Sequence, residues 1–243
     1  MAAESSPLHQ FTIEPIVPIH IGGLDASFTN SALLMVLTVL FATGFLLVSM
    51  GGGRLVPTRL QSVSELLYEF IANMVRENVG DEGKPYFPFL FTLFVFVPLG
   101  NLLGMVPWSF TFTSHIIVTF ALAALVFIGV TLIGIFKHGF KFLSLFVPHG
   151  VPAVLLVLLV PIEMLSYLIR PFTLSIRLFA NMMAGHTMLV IFGSFVAALG
   201  IFGIAPIAMD VFLVLLEFLV AVLQAYVFVI LSSLYLRDAI HLH

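Results

Sequence analysis

The sequence predicts an all-α integral membrane protein with five membrane crossings, one interfacial amphipathic helix, and two long, strongly tilted C-terminal helices. Three observations predict it. Of the 243 residues, 61% are hydrophobic and 9% are charged, whereas a soluble domain carries about 25% charged residues. Apolar runs long enough to cross a hydrocarbon core of ~30 Å recur along the chain. Lys and Arg gather in some connections and are missing from others, which is how orientation is written into a membrane protein. There is no cysteine, which excludes disulfides, thiolate metal sites and cysteine nucleophiles. The net charge of -3 comes without any basic block that would suit nucleic acid.

Residues 1–28 are polar and proline-rich and read as an external segment. Their first twenty residues hold no Lys or Arg and lack the basic and apolar regions of a signal peptide. Residues 31–50 carry no charge and span; Gly51-Gly52-Gly53-Arg54 ends them. Residues 58–79 differ. Val63, Leu66, Leu67, Phe70, Ile71, Met74 and Val75 keep a three-and-four spacing, and Glu65, Glu69, Asn73, Arg76 and Glu77 take the other side. That is an amphipathic helix lying in the interface, and Thr58 with Gln61 fits a capping box. Residues 86–108 span as a helix kinked by interior prolines, with Asn101 inside it and Trp108 at an interface. Residues 116–136 span again and lead into a segment with Lys137, His138, Lys141 and His149.

Apolar residues then run through 151–169, 188–209 and 211–236. Counted singly these would make six runs, and charge decides how they combine. Lys and Arg follow spans one and three, and Arg237 lies near the C-terminus, whereas the N-terminal segment, 109–115 and 203–210 have none. An external N-terminus and an internal Arg237 require an odd number of crossings. Merging 151–198 into one helix and letting the last run over 208–240 gives five. A helix of roughly 45 residues is about 68 Å long, so it must tilt or bend.

Both long helices carry polar stripes. Glu163, Arg170 and Arg177 recur every seven residues and Asn181 follows a turn later, with Ser166 and Thr173 on the same face. Pro171 removes one backbone bond and is a candidate kink. Asp210, Glu217 and Gln224 also recur every seven residues, and Asp238 lies two heptads on. His186 is about 180° round from Arg177 and points to a different neighbour, the last helix. An arginine at a bilayer centre costs about 2.5–3.5 kcal/mol on insertion scales. Charges bought at that expense, with an imidazole that titrates near neutrality, point to a proton relay in preference to interhelical glue. A metal held by His186 and Glu217 lacks a dense ligand set. Tyr226 and Tyr235 read as packing or interfacial residues, and His241 and His243 as a frayed end in solvent.

The run LSIRLFANMMAGH, Leu174 to His186, together with Leu215 to Ile240 and NLLGMVP at Asn101 to Pro107, resembles subunit a of F-type ATP synthase in its mitochondrial-like form, and the resemblance covers most of the chain. It implies a proton-translocating stator subunit beside a ring of c subunits, with peripheral-stalk b-type subunits, other synthase subunits and lipid as neighbours. By that resemblance Arg177 takes the place of the essential arginine that separates two offset half-channels. Asn181 and Gln224 flank it, His186 and Glu217 match the outer half-channel pair, and Glu163 and Asp238 match the inner acids. Arg170, Asp210, Asn101 and Tyr235 are left as candidates for secondary roles, Asp210 without an assigned one. The family implies no cofactor. With no nucleotide-binding motif here, ATP chemistry belongs to partner subunits and this chain holds no catalytic site. The resemblance places it in a bacterial plasma membrane, or alternatively the mitochondrial inner membrane, with the N-terminus outside and the C-terminus on the cytoplasmic or matrix side. Two other readings of the residues are a self-contained proton-coupled secondary transporter and a membrane scaffold.

Overall fold

The computed structural model describes residues 11–21, 24–25, 27–52, 56–106, 110–147, 152–199 and 203–241. Arg54, Pro107, Trp108, His149 and His243, and residues 1–10 of the proline-rich start, lie outside the described residues. Six α-helices dominate: α1 Asn30–Met50, α2 Arg59–Val79, α3 Phe87–Gly104, α4 Ile116–His138, α5 Ala153–Leu199 and α6 Ile204–Ile240. Five of them are long and apolar enough to cross a membrane, α2 being the exception. α5 spans 47 residues without a break at Pro161 or Pro171. The chain divides into two compact units, and α1, α3, α4, α5 and α6 each contribute residues to both.

The first unit takes in the chain up to Val48, Val95–Val118 and Leu178–Ala225. Its start is not helical, which departs from the all-α expectation. Strands β1 Pro15–Val17 and β4 Phe28–Thr29 pair antiparallel, as do β2 His20–Ile21 and β3 Leu24–Asp25. Asn30 ties this segment to α1: its Nδ2 donates to the Thr12 carbonyl at 3.1 Å, and its Oδ1 accepts from the Glu14 N–H at 3.3 Å. Further along, Asn101 of α3 is wholly buried, and its Oδ1 accepts from the Thr113 hydroxyl at 2.8 Å. Phe112 packs so closely on α3 that a side-chain carbon on Gly100 would fall 2.3 Å from its ring. The α3–α4 connection is thereby fastened to α3. Burial pushes the imidazole of His115, in that connection, below its ordinary pKa, and a backbone hydrogen bond to Phe11 partly offsets the effect.

The second unit takes in Ser49–Phe94, Thr119–Arg177 and Tyr226–His243. Here α2 begins at Thr58, whose hydroxyl accepts from the Gln61 N–H at 3.4 Å. The Gln61 side-chain NH2 donates to Glu65 Oε1 at 2.8 Å. Ile71, Met74 and Val75 of the expected apolar stripe are buried, whereas Val63, Leu66 and Phe70 are exposed. The face that packs on protein is thus narrower than the hydrophobic pattern, and Ser64 and Ser49, 2.6 Å apart, share it. The C-terminus is tied down where sequence suggested fraying. His138 bonds the Ile240 carbonyl at 2.8 Å, and exposed His241 bonds the Val79 carbonyl at 3.2 Å. Those bonds satisfy carbonyls that a helix end would otherwise leave open. Lys137 pairs with Glu82.

Candidate functional site

In the first unit, α5 and α6 lie antiparallel with polar side chains meeting across them. His186 is held on three sides. Its Nε2 lies 2.9 Å from the Thr111 hydroxyl and 3.0 Å from the Gly104 carbonyl. Its Nδ1 lies 2.5 Å from Glu217 Oε1. A carbonyl can only accept, so Nε2 carries a hydrogen. This leaves a single proton to be shared at the other contact. Either the imidazole is protonated beside a carboxylate, or a neutral imidazole faces a carboxylic acid. Glu217 is 3% exposed, and an unpaired carboxylate so deeply buried would be costly. The two groups are close enough to pass a proton, although neither Nδ1 nor Oε1 makes an aligned hydrogen bond, and the Gly104 carbonyl fixes the hydrogen on Nε2.

Two glycines shape it. A side-chain carbon on Gly104 would meet the Thr111 hydroxyl oxygen at 2.6 Å, and one on Gly185 would meet Glu217 Oε1 at 2.7 Å. One turn before His186, Asn181 donates to the Gln224 side-chain carbonyl at 2.9 Å. Several buried polar atoms in this unit have no aligned protein partner among the described residues, including His186 Nδ1, both Glu217 oxygens, Asn101 Nδ2, Asp210 Oδ1 and Gln224 Nε2. Buried polar atoms are normally satisfied, and ordered water serves where protein does not. This part of the molecule is thus chemically suited to water.

The second unit holds the arginines, and they differ. Arg170 bonds Asp238 Oδ2 at 3.2 Å and lies over the rings of Tyr235 and Tyr167, at 4.8 and 5.3 Å from their centroids. Tyr167 is fixed in turn by a 2.6 Å contact with the Thr131 hydroxyl. Arg177, two turns on, is exposed among exposed Phe172, Thr173 and Ile176, and has no ion pair among the described residues. Glu163 is half-buried, likewise without an ion pair among them. The common face assigned to Glu163, Arg170 and Arg177 is therefore divided: one member is engaged inside the unit and one is turned outward.

The structure thus brings together His186 with Glu217, Asn181 with Gln224, and Arg170 with Asp238. It leaves Arg177, Glu163 and Asp210 without an ion pair among the described residues. Sequence reasoning missed Thr111, Gly104 and Gly185. Thr111 sits in a connection without periodicity, and Gly104, though inside the NLLGMVP run, acts through its carbonyl. Among the described residues no three His, Asp or Glu side chains converge as a metal site would need.

An almost wholly helical chain with five helices fit to cross a membrane, and with ionisable residues inside them, is an integral membrane protein of the kind that moves ions. Comparison with known proteins narrows the class. Residues 31–237 match the family model described as ATP synthase A chain. ATP synthase subunit a of Rhodospirillum rubrum is 56% identical over 98% of this chain and 99% of its own length. The subunit a proteins of Sinorhizobium medicae and Paramagnetospirillum magneticum are 57% and 53% identical, each over 98% of this chain and covering 98% and 100% of their own lengths. The chain belongs to the ATP synthase subunit a family.

Proposed function

We propose that this chain is the proton-translocating stator subunit of a rotary F-type ATP synthase in a bacterial plasma membrane, with Arg177 as the charge that meets the carboxylates of a c-subunit ring. The observation that carries this reading is the contrast between the two arginines. Arg170 has a carboxylate and two rings; Arg177 stands exposed on an apolar face with no counter-ion among the described residues. A cation at membrane depth needs an anion, so its partner belongs to another chain. A guanidinium suits the task. It stabilises a carboxylate that has lost its proton, and it does not itself release one, so protons do not pass it.

The other polar groups complete the reading. His186 and Glu217 form a proton relay in the outer half-channel, with Asn181 and Gln224 between them and the arginine. Glu163 and Asp238 serve the inner half-channel. The exposed Val63, Leu66 and Phe70 of α2 suit an interfacial helix, and the 47 residues of α5, about 70 Å of helix, suit a strongly tilted crossing. Peripheral-stalk subunits and lipid cover other surfaces. Membership in the ATP synthase subunit a family supports this assignment; a self-contained transporter would need Arg177 answered within its own chain.

Arg177→Ala tests the proposal in assembled complex. Proton-driven ATP synthesis is expected to vanish, with passive proton leak in its place. Coupled synthesis at the normal rate in that variant would sink the reading.

A further inference from the structure

We infer that Asp210 is an additional proton-relay residue, the first carboxyl in a chain that hands protons to Glu217. The inference rests on the proposed function above and extends it to a residue which that function does not use.

The geometry comes from the antiparallel register of α5 and α6 within the first unit. His186 meets Glu217 and Asn181 meets Gln224. Glu217 also lies directly over Gly185, where a side-chain carbon would come within 2.7 Å of its carboxylate. Going back seven residues on α6, from Glu217 to Asp210, corresponds to going forward seven on α5, from Gly185 and His186 to Phe192 and Gly193. Since Glu217 lies over Gly185, the same register sets Asp210 at the level of Phe192, with Gly193, the counterpart of His186, next along the chain. The two glycines differ in surroundings. Gly185 is filled by the Glu217 carboxylate, whereas Gly193 is exposed and a side-chain carbon there would touch nothing within 4 Å. Open space at Gly193 thus lies within about one residue of the level of Asp210, which is itself partly exposed.

Two further observations turn position into function. Asp210 Oδ1 is buried without a hydrogen-bond partner among the described residues, although the residue as a whole is only partly buried. The deeply buried Glu217 also has oxygens without an aligned hydrogen bond. The two acids share one side of α6 about 10.5 Å apart along its axis. That is too far for direct transfer and within reach of a short file of water, which orphaned carboxyl oxygens are built to hold. His186, the titratable group next to Glu217, is already engaged with it.

The step balances simply. Hydronium at the opening protonates the Asp210 carboxylate and leaves water. The resulting acid passes its proton through ordered water to the Glu217–His186 pair and returns to carboxylate. In the reverse direction of the motor the same groups act in reverse order.

The test uses assembled synthase in membrane vesicles. Its readouts are subunit content, ATP synthesis under an imposed proton gradient, and passive proton conduction after the soluble sector is removed. Asp210→Asn keeps size and polarity and removes the titrating group. It is expected to assemble normally and to lower conduction between several-fold and about 10²-fold, the low end of what a positioned proton-transfer group contributes. Asp210→Glu should restore most of that loss, and Gly193→Val should lower conduction with Asp210 intact by closing the opening. Wild-type conduction in Asp210→Asn, with conduction lost in Glu217→Gln, would overturn the inference and leave the proposed function standing. So would equal loss in Asp210→Asn and Asp210→Glu at normal assembly, since a relay depends on a carboxyl. If Asp210→Asn does not assemble, Gly193→Val and Asp210→Glu decide by the same criteria. Wild-type conduction in Glu217→Gln as well, together with normal coupled synthesis in Arg177→Ala, would instead defeat the reading on which the inference rests.

Discussion

At the scale of single residues, the chemistry turns on one proton between His186 Nδ1 and Glu217 Oε1. Its other determinants are a carbonyl at Gly104, a hydroxyl at Thr111 and the bare backbone of Gly185. Gly185→Ala isolates one of them. The new methyl would fall 2.7 Å from Oε1 and 2.9 Å from Cδ of Glu217, which is the mobile end of a side chain, so the carboxylate moves and the helices need not. Assembly and stability are expected to change by about 1 kcal/mol or less, below the usual range for overpacking, while proton-driven synthesis falls at least several-fold. Equal loss of assembly and synthesis would show that the glycine serves packing alone. Part of this site was legible beforehand. Helical arithmetic sets His186 opposite to Arg177 and toward the last helix, and its imidazole does meet α6. The division of labour between Arg170 and Arg177 was not legible. Spacing places them on one face, and only the tertiary position of Asp238, Tyr235 and Tyr167 shows which of the two is engaged.

At the scale of elements, α5 and α6 are joined within each unit by polar pairs in an apolar setting. Arg170 with Asp238 is the pair in the second unit, half-screened from solvent and flanked by two rings. Arg170→Ala is expected to lower the thermal stability of the solubilised complex by about 1–2 kcal/mol, combining a partly exposed ion pair with a guanidinium–ring contact. Arg170→Lys keeps the charge and loses the planar stacking, so it should fall between the two. Unchanged melting in both would remove Arg170 from the packing of this unit. Composition and hydropathy carried most of the element scale, because a crossing helix needs about 20 predominantly apolar residues. They failed at the N-terminal strands, since Pro15–Val17 and Phe28–Thr29 are too short and too rich in proline context to show alternation. They were also generous at α2. Its hydrophobic stripe records every surface that leaves water, and protein covers only the Ile71, Met74 and Val75 part of it.

At the scale of the whole molecule, orientation is the property that turns a row of polar residues into a directed proton path. Charge bias argues for an external N-terminus and an internal C-terminus, and the absence of cysteine from all 243 residues gives a clean way to check it. A single cysteine at Thr12, in the exposed segment before β1, should react with a membrane-impermeant maleimide in intact cells and be shielded in inverted vesicles. One at exposed His241 should do the reverse. A third at Leu66, exposed on α2, should react with a lipid-soluble reagent better than with the impermeant one from either side, as a helix lying in the interface requires. Labelling of Thr12→Cys and His241→Cys from the same side would demand an even number of crossings. The assignment of His186, Glu217 and Asp210 to the outer path would then fall with the topology, because all three owe their side of the membrane to it.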